Sequence, residues 1–201
     1  SVRIVVVLEK GGSGLNLTKE VRDGIFNHRT KGNPSTLEGK IVRFSDKIAY
    51  INHDIDDAIR AGILTESGLP REFTDVLGHS VRERLDTMVK SIVLASLDKP
   101  QIDMEPAVLD AMMGLRTFMF ENVYLSSNVT KTEERKAKQV IADLYEYYMK
   151  HYDEVSEEYR AMERLGHGTR EQIVCDYIAG MSDLYAIATF QELFIPKAWK
   201  K

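Results

Sequence analysis

Phe44, Ile48, Ile51, Ile55 and Ile59 recur at three- and four-residue steps, a spacing that gathers apolar side chains on one face of an α-helix and that a strand cannot use. The same segment places Asp46, Tyr50, His53, Asp54 and Asp57 on the opposite face, within an arc of about 100°. A helix of this kind is stable only if its apolar stripe is covered, so the rest of the chain must supply packing partners. Capping boxes, in which a Ser or Thr precedes Glu or Gln by three residues and two backbone donors are satisfied reciprocally, occur at Ser35–Glu38, Thr130–Glu133 and Thr169–Gln172. They predict helices over about 34–61, closed by Gly62 as a left-handed cap, and over about 130–151 and 169–194. Residues 72–78, 80–97 and 104–124 repeat the helical spacing between Pro70, Pro100 and Pro106. The β-branched run Val2–Leu8 suits a strand as well as a buried helix, and helix is preferred. The expected fold is all-α, a compact multi-helix bundle forming a single helical domain over residues 1–201.

Composition removes several function classes. The 201 residues are 43% apolar and 29% charged, ordinary for a globular chain, and the net charge of −4 leaves no global basic field for generic nucleic-acid binding. No apolar run approaches the roughly 20 residues of a membrane span, and Val5–Leu8 is too short for a signal-peptide core. Cys175 is the single cysteine, so no internal disulfide forms; it is expected to be a small buried residue. A soluble cytoplasmic protein without a membrane partner is expected. The chain opens at Ser1 rather than Met and turns apolar almost at once, which raises the expectation of a missing upstream segment. Gly11, Gly12, Ser13 and Gly14 form a flexible loop that lacks the spacing of a phosphate-binding loop.

The polar strip on residues 44–57 admits two readings, a solvated helix face or a site for a metal or phosphate ester. A catalytic divalent ion usually needs three or more protein ligands, so the second reading requires donors from elsewhere. His28, His79, His151 and His167 have no paired spacing and are read as surface or capping residues. Tyr145, Tyr147, Tyr148 and Tyr152 could form a partner surface, and core packing explains them equally well.

Ser45–Ala61, reading SDKIAYINHDIDDAIRA, resembles the final motif of the HD-superfamily deoxynucleoside triphosphate triphosphohydrolases, the dGTPase-like proteins. Leu15–His28 (LNLTKEVRDGIFNH), Leu115–Tyr124 (LRTFMFENVY) and Asp176–Tyr185 (DYIAGMSDLY) resemble the same family, in the family's order and over most of the chain. The resemblance implies the C-terminal part of an HD-domain phosphohydrolase fold. It puts the last of four metal ligands at Asp46, a phosphate contact at Lys47, and contacts to the sugar and its 3′-hydroxyl at Tyr50 and Asp54. Arg116 resembles a triphosphate-binding arginine and Tyr124 an aromatic residue beside the nucleoside. The eight residues between these two would let a helix present both on one side.

The implied activity is metal-dependent hydrolysis of a deoxynucleoside triphosphate to deoxynucleoside and tripolyphosphate, with Mg, Mn or Fe as the ion in the full-length parent, and oligomers of identical chains. The family's upstream His and His-Asp pair have no counterpart here, and His53-Asp54, which spells the same dipeptide, belongs to the last motif. The chain alone is therefore expected to bind no metal tightly, to contain no complete catalytic set and to be inactive. Two other readings stay open: a helical nucleotide-binding, oligomerisation or regulatory module without catalysis, and an HD phosphohydrolase acting on a different nucleotide or a phosphomonoester.

Overall fold

The computed structural model describes residues 2–29, 31–125 and 128–197, which contain helices and no strand. The contacts, expected to form one domain over 1–201, gather into two compact units, Thr18–Lys131 and Ser1–Leu17 with Thr132–Lys201.

The unit Thr18–Lys131 holds α1 (Lys19–Asn27), α2 (Leu37–Arg60), α3 (Arg71–Leu77), α4 (Val81–Ser96) and α5 (Pro106–Met119), followed by a π-helical segment, Phe120–Leu125. Local chemistry sets their starts. Thr18 accepts from Val21 N at 3.4 Å, and Ser80 accepts from Glu83 N at 3.2 Å while Glu83 reaches back to His79 N at 2.8 Å. Pro106 opens α5, where its missing N–H costs nothing. The cap of α2 differs from the expected Ser35: Thr36 accepts from Gly39 N at 3.1 Å. Ser35 is instead committed to Asp23 Oδ2, which accepts from its backbone N at 2.7 Å and its hydroxyl at 2.9 Å. Gly62, with φ +69°, ends the helix as expected. The apolar stripe of α2 is buried at Phe44, Ile48, Ile51, Ile55 and Ala58 against Leu77, Met88, Met112 and Leu115, each full side-chain burial contributing about 1.5–3 kcal/mol.

In the other unit lie α6 (Asn128–Lys150, whose first residues precede it), α7 (Glu157–Arg164), α8 (Arg170–Ala179) and α9 (Asp183–Phe194). Val2–Leu8 is helical, as expected, but Ile4–Leu8 is wound as a π-helix; a turn with positive φ at Lys10, Gly11 and Gly12 follows. The Thr169 cap forms, accepting from Gln172 N at 3.4 Å, whereas the Thr130 capping box lies outside the described side chains. The single helix expected over 169–194 is two helices bent by 115°, because α8 ends at Gly180 and Ser182 starts a new helix by accepting from Tyr185 N. Gly180 lies against Tyr159, whose hydroxyl would be 2.5 Å from an added Cβ, so a side chain at this corner would push that hydroxyl aside.

The core here is Leu144, Tyr148, Val155, Val174 and Ile178, with Tyr145, Tyr147 and Tyr152 packed against it. Of the two readings of these tyrosines, packing within their own unit is the one the contacts display. Cys175 is corrected too: it is exposed, because α8 turns Val174 and Asp176 inward on either side of it. No single described helix is long and apolar enough to cross a membrane.

Candidate functional site

The polar face of α2 is built by the same periodicity that buries its other face. Phe44, Ile48, Ile51 and Ile55 are locked into the core, so Arg43, Asp46, Lys47, Tyr50 and Asp54 are carried to the opposite side. Asn52, near the core edge, is buried with its amide donating to Ile48 O at 2.8 Å and its oxygen accepting from Arg84 Nε at 3.1 Å. Arg84, fully buried on α4, also pairs with Glu66. This network ties α2 to its neighbours on a side away from the polar strip, and nothing in the sequence motifs singled it out.

At the C-terminal half of α2, Tyr124 donates its hydroxyl to Asp54 Oδ1 at 2.8 Å. The two are 70 residues apart in sequence. The π-helical turn at Phe120–Leu125 contributes to this meeting, because i→i+5 bonding rotates the chain less per residue than an α-helix and returns Tyr124 toward the side of α5 that carries Arg116. Burial, then the bond to Asp54, then the nearby charges of Asp54 and Asp57 push the Tyr124 phenol up to about 12, so it keeps its proton through the neutral range. Tyr50 adds to the same shift and is itself largely exposed, at 64%.

Two turns back along α2 from Asp54, Lys47 is half-buried and its ammonium lies 6.0 Å from the Phe44 ring centre. Its pKa is lowered, first by burial and then by the positive charges of Arg43 and Arg116, with Asp46 acting in the opposite direction. Arg43, Lys47 and Arg116 thus form one cationic patch from two helices, with Arg116 exposed in the last turn of α5. Arg43 was not among the expected site residues. Its position four residues before Lys47, on the same face, is the signal that could have found it.

Asp46 is half-buried and borders a mostly apolar groove of about 690 Å³ between α1 and α2, which also meets His28, Glu20 and Glu38. The two helices approach closely there, since a Cβ on Gly24 would stand 3.6 Å from the Gly39 Cα. His28 makes a short contact with Ile25 O at the end of α1, a capping role. His53 is exposed on α2. The described residues contain no group of three His, Cys, Asp or Glu side chains placed to hold an ion, so the donor set around Asp46 does not by itself fit a catalytic metal.

Residues 102–192 of this all-helical chain match the phosphohydrolase-associated domain. The chain carries that match over less than half of its length. It is homologous to proteins named deoxyguanosinetriphosphate triphosphohydrolase-like: 48% identical over 200 residues to one from Caldanaerobacter subterraneus subsp. tengcongensis, covering 99% of this chain and 58% of the relative. One from Clostridium perfringens strain 13 is 44% identical over 209 residues, 98% of this chain and 59% of the relative. One from Geobacter metallireducens is 31% identical over 248 residues, 98% of this chain and 63% of the relative. The chain thus spans less than two thirds of the length of these relatives.

Proposed function

We propose that this chain forms the C-terminal part of a metal-dependent hydrolase that converts a deoxynucleoside triphosphate of the dGTP kind to deoxynucleoside and tripolyphosphate. The observation that carries the reading is the joining of two charge types along one helix: Asp54 with Tyr124 and Tyr50 at one end, Lys47 and Arg43 two to three turns before Asp54, with Arg116 beside them. That order matches a nucleotide laid along α2, sugar over Tyr50 and Asp54, phosphates over the cations.

Each residue then has a defined task. Asp54 accepts the 3′-hydroxyl, and Tyr50 and Tyr124 pack on the nucleoside and exclude water. Lys47 and Arg116 neutralise the triphosphate; the half-burial of Lys47 strengthens its pull on an anion. Asp46 would offer one carboxylate to a divalent ion in the longer protein, and such an ion would supply an activated water there. The chain alone is inactive, and the working protein is a cytoplasmic oligomer of identical chains with a deoxynucleoside triphosphate as its small-molecule partner.

The deciding experiment expresses the full open reading frame containing this sequence and assays dGTP with Mn²⁺ for tripolyphosphate. Release of tripolyphosphate by the long protein and none by the 201-residue chain supports the reading; release of pyrophosphate or orthophosphate, or no turnover of any deoxynucleoside triphosphate, overturns it.

A further inference from the structure

Among the described residues Arg84 is the one fully buried cation, at 0% exposure, and it stands on α4 one turn before the equally buried Met88. Its guanidinium donates from Nε to Asn52 Oδ1 at 3.1 Å and pairs through Nη1 with Glu66, while Nη2 is buried with no partner among the described residues. Asn52 passes the constraint to the backbone of α2, because its amide donates to Ile48 O at 2.8 Å. A buried guanidinium with an unmade bond is a poor source of stability, and a well-packed apolar side chain in its place is often as stable or more so. What the network supplies and a methionine cannot is direction.

Direction matters because of where Asn52 sits. At 100° per residue it falls about 160° around the helix from both Tyr50 and Asp54. The apolar stripe of α2 is held by non-directional burial, which tolerates small rotations. A turn of about 20° about the axis would carry side-chain ends lying roughly 5–6 Å from it through about 2 Å, and a misplacement of about 1 Å can cost about 100-fold in rate. Arg84 is itself set on a fixed backbone: its N–H donates to Ser80 O at 2.9 Å, in the turn that Ser80 and Glu83 cap.

We propose that Arg84 is a positioning residue for the hydrolysis: through Asn52 it sets the rotation of α2, and so the aim of the opposite face of that helix, rather than adding to the stability of the fold. The inference rests on the hydrolase reading above and assigns a task to a buried residue that touches no ligand.

The test measures steady-state dGTP hydrolysis and thermal unfolding of the full-length protein with the native sequence, with Glu66→Gln, and with Asn52→Leu, Glu66→Gln and Arg84→Met together. The triple change removes the network without stranding a charge, whereas Glu66→Gln strands the Arg84 charge but keeps its bond to Asn52. The triple variant should unfold no more than about 3 °C below the native protein. Its kcat should nevertheless fall about tenfold or more with KM changed by less than about threefold, because a misaimed site loses transition-state alignment before ground-state contacts. Glu66→Gln should be the less stable of the two and keep kcat within about twofold of native. A merely structural network predicts the reverse, activity following stability, and that result overturns the proposal. So does a triple variant whose kcat stays within about twofold of native. If the triple variant does not fold, Asn52→Ala takes its place: a kcat loss that Glu66→Gln does not share upholds the role, and equal losses overturn it. These overturning results leave the hydrolase reading standing, since each requires an active native protein; absence of turnover in the native full-length protein overturns both.

Discussion

Two aspartates, one in each compact unit, are bound by distant side chains in opposite ways. Asp176 on α8 is saturated: Arg3 donates from Nε at 3.0 and 2.8 Å and from a terminal nitrogen at 2.6 Å, and Gln172 donates at 3.1 Å. Arg3 also donates to His167 O at 2.9 Å, and the Asp176 side chain is only 8% exposed. Among the described residues Asp54 on α2 has one donor, Tyr124, and it is only half-buried. A carboxylate with every lone pair engaged can clamp a fold but has nothing to offer a ligand. One held by a single donor keeps acceptor capacity for something that arrives from solution.

Removing the clamp gives the largest expected effect. Arg3→Ala leaves Asp176 buried with only Gln172 as a donor and should cost about 3 kcal/mol in denaturant unfolding, at the lower end for a broken buried pair because Arg3 is partly exposed. Replacing both partners by Met should recover much of that loss; failure to recover would show that the geometry of the pair, rather than the stranded charge, holds the unit together.

At the other aspartate helix the effect should fall on activity instead. Asp46→Asn in the full-length protein should lower dGTP turnover at least about 100-fold while moving the unfolding midpoint little, as expected for a ligand-facing carboxylate. A destabilisation comparable to that of Arg3→Ala would place Asp46 with Asp176 as a structural residue.

A smaller effect sharpens the comparison through pH. The folded-state pKa of Tyr124 is raised from 10.0 to about 12, so the stability its bond to Asp54 contributes is full below pH 10 and is lost as pH rises through about 12. The phenolate absorbance of the native protein minus that of Tyr124→Phe should show one tyrosine titrating near 12; a step at 10 would mean the contact is not held in solution. The smallest effect belongs to the exposed Asp86–Lys90 pair on α4, 2.7 Å apart: Asp86→Ala should change stability by at most about 0.5 kcal/mol.

Much of the scaffold was legible because its causes are local. The two faces of α2 follow from spacing alone, and Gly62 and Thr169 act as the caps they spell. The Ser35 expectation missed by one residue, since Asp23 competes for Ser35 and leaves Thr36 to cap. The corner at Gly180 had a local signal in Ser182 followed by Asp183, outweighed in a reading of apolar periodicity that ran through it. Cys175 was misjudged because its apolar neighbours concealed that Asp176, drawn in by Arg3, takes the inward position. The π-helical turn at Phe120–Leu125 had no motif to announce it, whereas the spacing of Arg43 four residues before Lys47 did carry a signal.

What the sequence by itself determined is the all-helical character, the amphipathic α2 and the set of side chains on its polar face. These depend on residues within a turn or two of one another, where backbone geometry alone settles which groups share a face. Only the tertiary structure decided that Tyr124 meets Asp54, that Arg116 shares a patch with Lys47 and that Arg3 closes on Asp176. Contacts between residues 70 or 173 positions apart depend on how core side chains fill space between helices, and no short-range pattern encodes that packing.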